Sequence, residues 1–418
     1  MRVLLLAPNI DATDVGEAFV AFNWAEGLSR AVELTVLAFQ RAGRPALAAQ
    51  LPHAEVVTWA EPAWLLKAER LNAMLKPAYP LYYAHVRRFL SEARAAGRHF
   101  DIGHQLMPQA ARYASPLAGT GLPYVMGPLG GTLATPPGFV TETGRAPWFT
   151  KLRRVDEFRL RRDPWLRRSY AEAALVLGVA PYIGEALAPI GLRRYENILE
   201  LGIDDLAPPR PPALPSNELT LLHVGRAVRT KGLRDVVRAL ARLGDRPGIR
   251  LVSAGDGEDL AACRREAEAL GVADRVRFEG RVPRERVSEL YEEADVFVFP
   301  SFREPAGGVL YEAMRAGLPV VTVAYGGPNF IVDDASGIRL GLSTPEALAD
   351  DVAAAVRRLH DDPALREKLG RGARARVAAE GLWERKIPRV VALYEEVLAD
   401  RAPGAAAVAR DGAARASR

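Results

Sequence analysis

Residues 303–317 read REPAGGVLYEAMRAG, and this stretch decides how the chain is read. Gly307 and Gly308 stand directly before an apolar run with helical spacing. Glu304 precedes the pair, and Glu312 follows eight positions after Glu304. The first N–H groups of a helix have no partner within it, and the helix dipole favours a negative charge there. Glycines at that point let a ligand approach the backbone closely. The stretch therefore predicts a loop-to-helix junction built to hold an anion, with a carboxylate on either side.

Outward from this junction, short apolar runs alternate with longer amphipathic segments. RVLLLAP, VELTVLAF, AEVVTW, DIGHQLM, LPYVMGP and ALVLGVA lie in the first half, and LTLLHVG, IRLVSAG, VRFEG, DVFVFPS and LPVVTVA in the second. Near-continuous apolar strands of this kind belong to parallel sheets covered on both faces. The pattern predicts a doubly wound α/β architecture that occurs twice. The proline-rich segment 207–215, APPRPPALP, reads as a linker. The expected division is a first domain over residues 1–206 and a second over 207–385. A last helix near 386–400 follows, and then a polar, small-residue tail, 402–418, expected to be disordered.

Composition narrows the function classes. The 418 residues are 49% hydrophobic and 26% charged, with a formal net charge of +5, ordinary values for a globular protein. The single cysteine, Cys263, rules out an intramolecular disulfide and fits a reducing compartment. No stretch is long and apolar enough to read as a membrane-spanning helix. The loop after the first strand, PNIDATDVGEAF, holds one glycine, Gly16, which argues against a dinucleotide fingerprint. His99, Asp101 and His104 form the one close cluster of metal-ligand types, and strand alternation does not converge them.

Ligands of open α/β sheets bind at the carboxyl ends of the strands. In the second half those ends carry Gly225-Arg226 with Lys231 close by, then Gly255-Asp256-Gly257, Gly280-Arg281-Val282, and the glycine pair Gly326-Gly327. Arg226 and Lys231 add full positive charges beside the expected helix start. A carboxylate that accepts two hydroxyls suits a ribose, which is the reading of Glu312. Glu304, on the other side of the anion, suits a sugar. A phosphate cradle with a carboxylate at each end points to a nucleotide sugar.

SFREPAGGVLYEAMRAGLPVVTVAYGGPNFIV resembles the donor-site pattern of the retaining family-4 glycosyltransferases of GT-B fold. HVGRAVRTKG, VSAGDGED, FEGRVPRERVSELYEEADVFVFPS, ENILELGID and WERK extend the resemblance over nearly all of residues 196–400. The resemblance implies two Rossmann-like domains facing across a cleft, with the C-terminal helix crossing back onto the first. It implies that Arg226 and Lys231 hold the donor diphosphate and that the amides of Gly307, Gly308, Val309 and Leu310 cradle it. Glu312 would bind the ribose, Glu304 the donor sugar, and Arg281 and Val282 would lie against the base. UDP is the favoured donor nucleotide and GDP the next. No cofactor and no metal is expected, since cations of the chain take the metal's place. Two departures, Ala306-Gly307 where the family often has Phe-Gly and Pro328-Asn329-Phe330 after the second glycine pair, leave the sugar open.

The first domain is expected to hold a saccharide or glycolipid acceptor. His104 stands at a position resembling a family histidine that reaches the donor sugar, which makes it a catalytic candidate with Glu304, Arg226 and Lys231. Gly16 is a donor-side candidate, and Gly130 and Gly131 are acceptor-side candidates. Residues 145–168 carry nine cations against three acids, net +6, interleaved with Trp148, Phe149, Phe158 and Trp165. Such a segment suits an anionic membrane surface, and the expected location is cytoplasmic, peripheral at the inner face of the plasma membrane. No nucleic-acid partner is expected. A nucleotide-sugar 2-epimerase and a non-catalytic nucleotide-sugar-binding or membrane-scaffold subunit are the alternative readings.

Overall fold

The structure is a computed structural model that describes residues 1–14, 16–62, 76–143, 153–210 and 217–400. These fall into two compact units. One is drawn from Met1–Thr132, Lys151–Glu200 and Lys386–Arg418, the other from Leu133–Thr150 and Leu201–Arg385.

The first unit is built on a parallel seven-stranded sheet in the order β3-β2-β1-β4-β5-β6-β7. Its strands are β1 (Arg2–Leu6), β2 (Glu33–Gln40), β3 (Glu55–Ala60), β4 (Ile102–Gln105), β5 (Tyr124–Leu129), β6 (Leu175–Gly178) and β7 (Tyr195–Asn197). Helices α1 (Glu17–Ser29), α2 (Tyr79–Ala95), α3 (Arg153–Arg162) and α4 (Pro164–Glu172) belong to this unit. The central strands are apolar on both faces because both are covered: Val3, Leu4, Leu5 and Leu6 are all fully buried.

The second unit has a parallel six-stranded sheet in the order β10-β9-β8-β11-β12-β13. Its strands are β8 (Leu219–Val224), β9 (Ile249–Ala254), β10 (Val276–Gly280), β11 (Val296–Phe299), β12 (Val320–Val323) and β13 (Gly337–Leu340). Helices α5 (Leu233–Arg242), α6 (Arg284–Glu293) and α7 (Gly308–Arg315) follow β8, β10 and β11. The strand order reverses between β8 and β11, and the crevice at such a switch point is the usual ligand position in open α/β sheets.

Helix α8 (Trp383–Ala399) ends the described chain. From Lys386 onward it belongs to the first unit, where the buried Lys386 ammonium donates to the Leu199 carbonyl at 2.6 Å. The tail expected at 402–418 lies outside the described residues, as does most of the 207–215 linker.

The division differs from the expected one in two ways. The second unit begins at Leu201 rather than 207, and it takes in residues 133–143 from the chain's first half. Tertiary contacts explain the second difference. Phe139 is fully buried in the second unit's core and stacks on Phe302 with ring centroids 4.5 Å apart. Burial of such a ring contributes about 1.5–3 kcal/mol. The Glu142 carboxylate accepts from Arg229 Nε at 2.6 Å, and Tyr325 Oη donates to the Ala134 carbonyl at 3.0 Å. Residues 133–143 are thus a strap on the second unit.

Candidate functional site

Arg226 follows β8, exposed to solvent, with no ion pair to its guanidinium among the described residues. The chain then makes a 3-10 turn, Arg229–Lys231, closed by Gly232 at φ 81°. Ser301 Oγ donates to the Thr230 carbonyl at 2.9 Å and ties this turn to the end of β11. Lys231 Nζ is paired with the Glu304 carboxylate and lies 5.5 Å from the Phe299 ring centroid. Glu304 is 8% exposed, a buried carboxylate neutralised by its lysine partner. The structure therefore brings together Lys231 and Glu304, 73 residues apart in sequence, at the sheet's switch point.

Helix α7 begins beside this pair. Gly307 is its N-cap, at φ 101°, a conformation that favours glycine. The Leu310 N–H donates back to the Gly307 carbonyl at 2.9 Å. This corrects the expected cradle: the Leu310 amide is already satisfied, and the amides on offer precede it. Gly308 has a further reason to be glycine. A Cβ there would stand 2.2 Å from Leu201 Cδ1, so a larger residue would have to push that side chain of the entering segment aside. The second glycine pair serves the same loop. The Gly327 N–H donates to the Glu304 carbonyl at 2.9 Å, and a Cβ on Gly327 would stand 2.1 Å from the Ala306 carbonyl oxygen.

Glu312 has other neighbours. Its carboxylate accepts from Tyr291 Oη at 3.1 Å, and burial raises its pKa above the usual carboxylate value. It lines a cavity with Arg284, Ser288 and Tyr291 of α6 and with Asp204 and Asp205 of the entering segment. The two glutamates of the 303–317 stretch thus have different partners, a lysine and a tyrosine. Arg281 is exposed and Val282 half-buried on the loop after β10, the outer strand of the sheet.

Arg229, in the turn, is held by a network of its own. Its guanidinium meets both oxygens of Asp235, at 2.6 and 2.9 Å, as well as Glu142 of the strap. Burial disfavours its charge, but the two carboxylates outweigh that and keep it firmly protonated. Sequence reasoning missed this network and the Tyr291–Glu312 bond. Asp235, at the front of α5 and close behind Arg229, was the one available signal. Glu142, 87 residues away, gave none.

His104 is corrected by the structure. It lies within β4, fully buried. Nε2 is 2.6 Å from the Gly127 carbonyl oxygen, which can only accept, so Nε2 carries the proton. Nδ1 then accepts from the buried Tyr394 hydroxyl of α8. Burial lowers the ring's pKa to about 4, against the raising effect of the Gly127 bond, so it is neutral. Both nitrogens are used inside the unit, and none is left for a sugar. Tyr394→Phe should cost about 1–3 kcal/mol in denaturant unfolding, by stranding Nδ1, without changing turnover per folded molecule. A turnover loss without a stability loss would restore the catalytic reading.

Gly16 caps α1 at φ 66°, in open space: a Cβ there would meet no atom within 4 Å. Gly130 is buried and its N–H donates to the Gln109 carbonyl at 2.9 Å, and Gly131 follows at φ 86°. His99, Asp101 and His104 do not converge: Arg2 occupies both His99, at 3.3 Å, and Asp101, at 2.7 Å. No helix among the described residues is long and apolar enough to cross a membrane.

Residues 208–376 match the family model described as glycosyl transferases group 1. A D-inositol 3-phosphate glycosyltransferase of Nocardiopsis dassonvillei is 34% identical over 45% of this chain and 46% of its own length. The lipopolysaccharide core biosynthesis glycosyltransferase LpsD of Rhizobium meliloti is 30% identical over 49% of this chain and 58% of its own. The chain spans about half the length of the curated relatives it matches. Among solved structures, Anabaena HepE in complex with UDP superimposes with a TM-score of 0.64 at 19% identity, over 95% of this chain and 100% of HepE. The fold is that of the GT-B glycosyltransferases, two parallel-sheet α/β units, and residues 208–376 are similar to the group 1 family.

Proposed function

We propose that this chain is a glycosyltransferase that moves a sugar from a nucleoside-diphosphate-sugar to an acceptor hydroxyl with retention of anomeric configuration. UDP is the favoured nucleotide and GDP the next. The observation that carries the reading is the Lys231–Glu304 pair at the switch point, beside Arg226 and the glycine-capped start of α7. Lys231 has three N–H donors, so its bond to Glu304 leaves donors for phosphate oxygens. HepE, of the same fold, was solved with UDP, which supports a nucleotide ligand.

In this reading the barrier falls mainly through electrostatics and positioning. The negative charge that builds on the departing diphosphate meets Arg226, Lys231 and the N-terminus of α7. Glu312 takes the ribose hydroxyls, and Glu304 orients the transferred sugar while holding Lys231 in place. The cations do the work a bound metal does elsewhere, so EDTA should leave the rate unchanged. The test is the anomeric configuration of the first-formed product by NMR. A product inverted relative to the donor would sink the retaining assignment.

The proposed acceptor is a saccharide or glycolipid intermediate of the bacterial cell envelope, met at a cytoplasmic membrane face. LpsD, named for lipopolysaccharide core synthesis, supports the acceptor class. Phe158 and Trp165 support the membrane contact: they are 63% and 58% exposed, beside exposed Arg161 and Arg162. Residues 145–152 of the basic segment lie outside the described residues. Phosphatidylglycerol vesicles should sediment the protein, and Phe158→Ser with Trp165→Ser should abolish this. Equal sedimentation by phosphatidylcholine vesicles would contradict the anionic-surface assignment.

A further inference from the structure

His223 lies in β8, three residues before Arg226, and is fully buried. It has no part in the mechanism proposed for the transfer. Its Nε2 is 3.0 Å from the carbonyl oxygen of Lys231. That oxygen can only accept, so Nε2 carries the ring proton. Nδ1 is then a bare acceptor, buried with no hydrogen-bond partner among the described residues. A ring placed only to fill space would be apolar, because a stranded buried acceptor costs stability. The one hydrogen bond its side chain makes among the described residues goes to Lys231.

The turn that carries Lys231 is fixed carbonyl by carbonyl. The Arg229 carbonyl accepts from the Gly232 N–H at 3.3 Å, and the Thr230 carbonyl from Ser301 Oγ at 2.9 Å. The Lys231 carbonyl accepts from His223. Phe299 completes the assembly, with its ring centroid 5.5 Å from the His223 ring and 5.5 Å from Lys231 Nζ. Burial lowers the His223 pKa to about 4, the bond to Lys231 opposes this, and the Lys231 charge reinforces it. The ring is neutral and adds no third cation to the loop.

We propose that His223 is a positioning residue for the donor-phosphate cation: its Nε2–H pins the Lys231 main chain, and so aims the Lys231 ammonium at the Glu304 and phosphate side of the crevice. This role rests on the reading of Lys231 as a diphosphate ligand. It adds a residue from the strand interior to the determinants of nucleotide affinity.

The test is calorimetric titration with UDP and GDP of the full chain and of His223→Leu, His223→Gln, Lys231→Ala and the Lys231→Ala/His223→Leu pair. Gln offers an amide N–H at similar reach. His223→Leu should weaken binding about tenfold, the scale of one hydrogen bond, and His223→Gln should recover most of it. In the Lys231→Ala background His223→Leu should have no further effect, because two residues that act through one contact are not additive. Wild-type affinity in His223→Leu, or a full tenfold loss in the Lys231→Ala background, would overturn the positioning role and leave Lys231 in place. Wild-type affinity in Lys231→Ala, or no binding of either nucleotide by the wild type, would instead remove the diphosphate reading and this inference with it.

Discussion

Replacing Arg226 by alanine lowers turnover about 10²–10³-fold and leaves the melting temperature close to that of the wild type. The first effect follows from losing one preorganised charge that faces the departing diphosphate. The second follows from exposure: Arg226 is solvent-exposed and forms no ion pair among the described residues, so the folded state loses little with it. Lys231→Ala should show a similar loss of turnover with a different stability signature. It removes the partner of Glu304, which is 8% exposed, and a buried carboxylate without a cation is costly. Its melting temperature should therefore fall, whereas that of Arg226→Ala should not. Steady-state kinetics and thermal melts on both variants check this. Near-normal rates in both would contradict the phosphate role.

Asp235→Ala should destabilise the second unit by about 3–5 kcal/mol, the cost of removing one member of a buried ion pair. Asp235 is fully buried and accepts two bonds from Arg229, which is itself 7% exposed. Without Asp235 the guanidinium keeps Glu142, but that residue belongs to the strap and is the weaker anchor. The loss is a large fraction of the roughly 5–15 kcal/mol that holds a typical domain together. Replacing Arg229 and Asp235 together by leucine should cost less than Asp235→Ala alone, because no fully buried charge is left unpaired: Glu142 is partly exposed and keeps Arg238 at 3.9 Å. Denaturant unfolding of the three proteins decides it. Equal stability of Asp235→Ala and wild type would mean that the network does not brace the turn carrying Lys231.

The 303–317 stretch was legible because its chemistry is local. A glycine pair, a helix start and two carboxylates at fixed spacing are all visible within fifteen letters. The long apolar strands were legible for the same reason. β7, Tyr195–Asn197, and β13, Gly337–Leu340, were not: they are short outer strands with too few apolar residues to form a run. The strap was hidden because Phe139 finds Phe302 through the fold, and no period in the sequence records that distance. His104 misled because a histidine near a strand end reads the same whether it faces solvent or Tyr394. Its partner lies 290 residues away. Leu310 misled in a smaller way: spacing marked a helix start without saying which amides the first turn would consume.

The central claim is that the crevice at the β8–β11 switch binds a nucleoside diphosphate through side chains and helix amides. Calorimetric titration of UDP into the wild type and Arg226→Ala, each with and without EDTA, tests it most directly. The predicted result is saturable binding to the wild type that EDTA leaves unchanged and Arg226→Ala weakens severely. Equal affinity in the two proteins, or binding that disappears with EDTA, would contradict it.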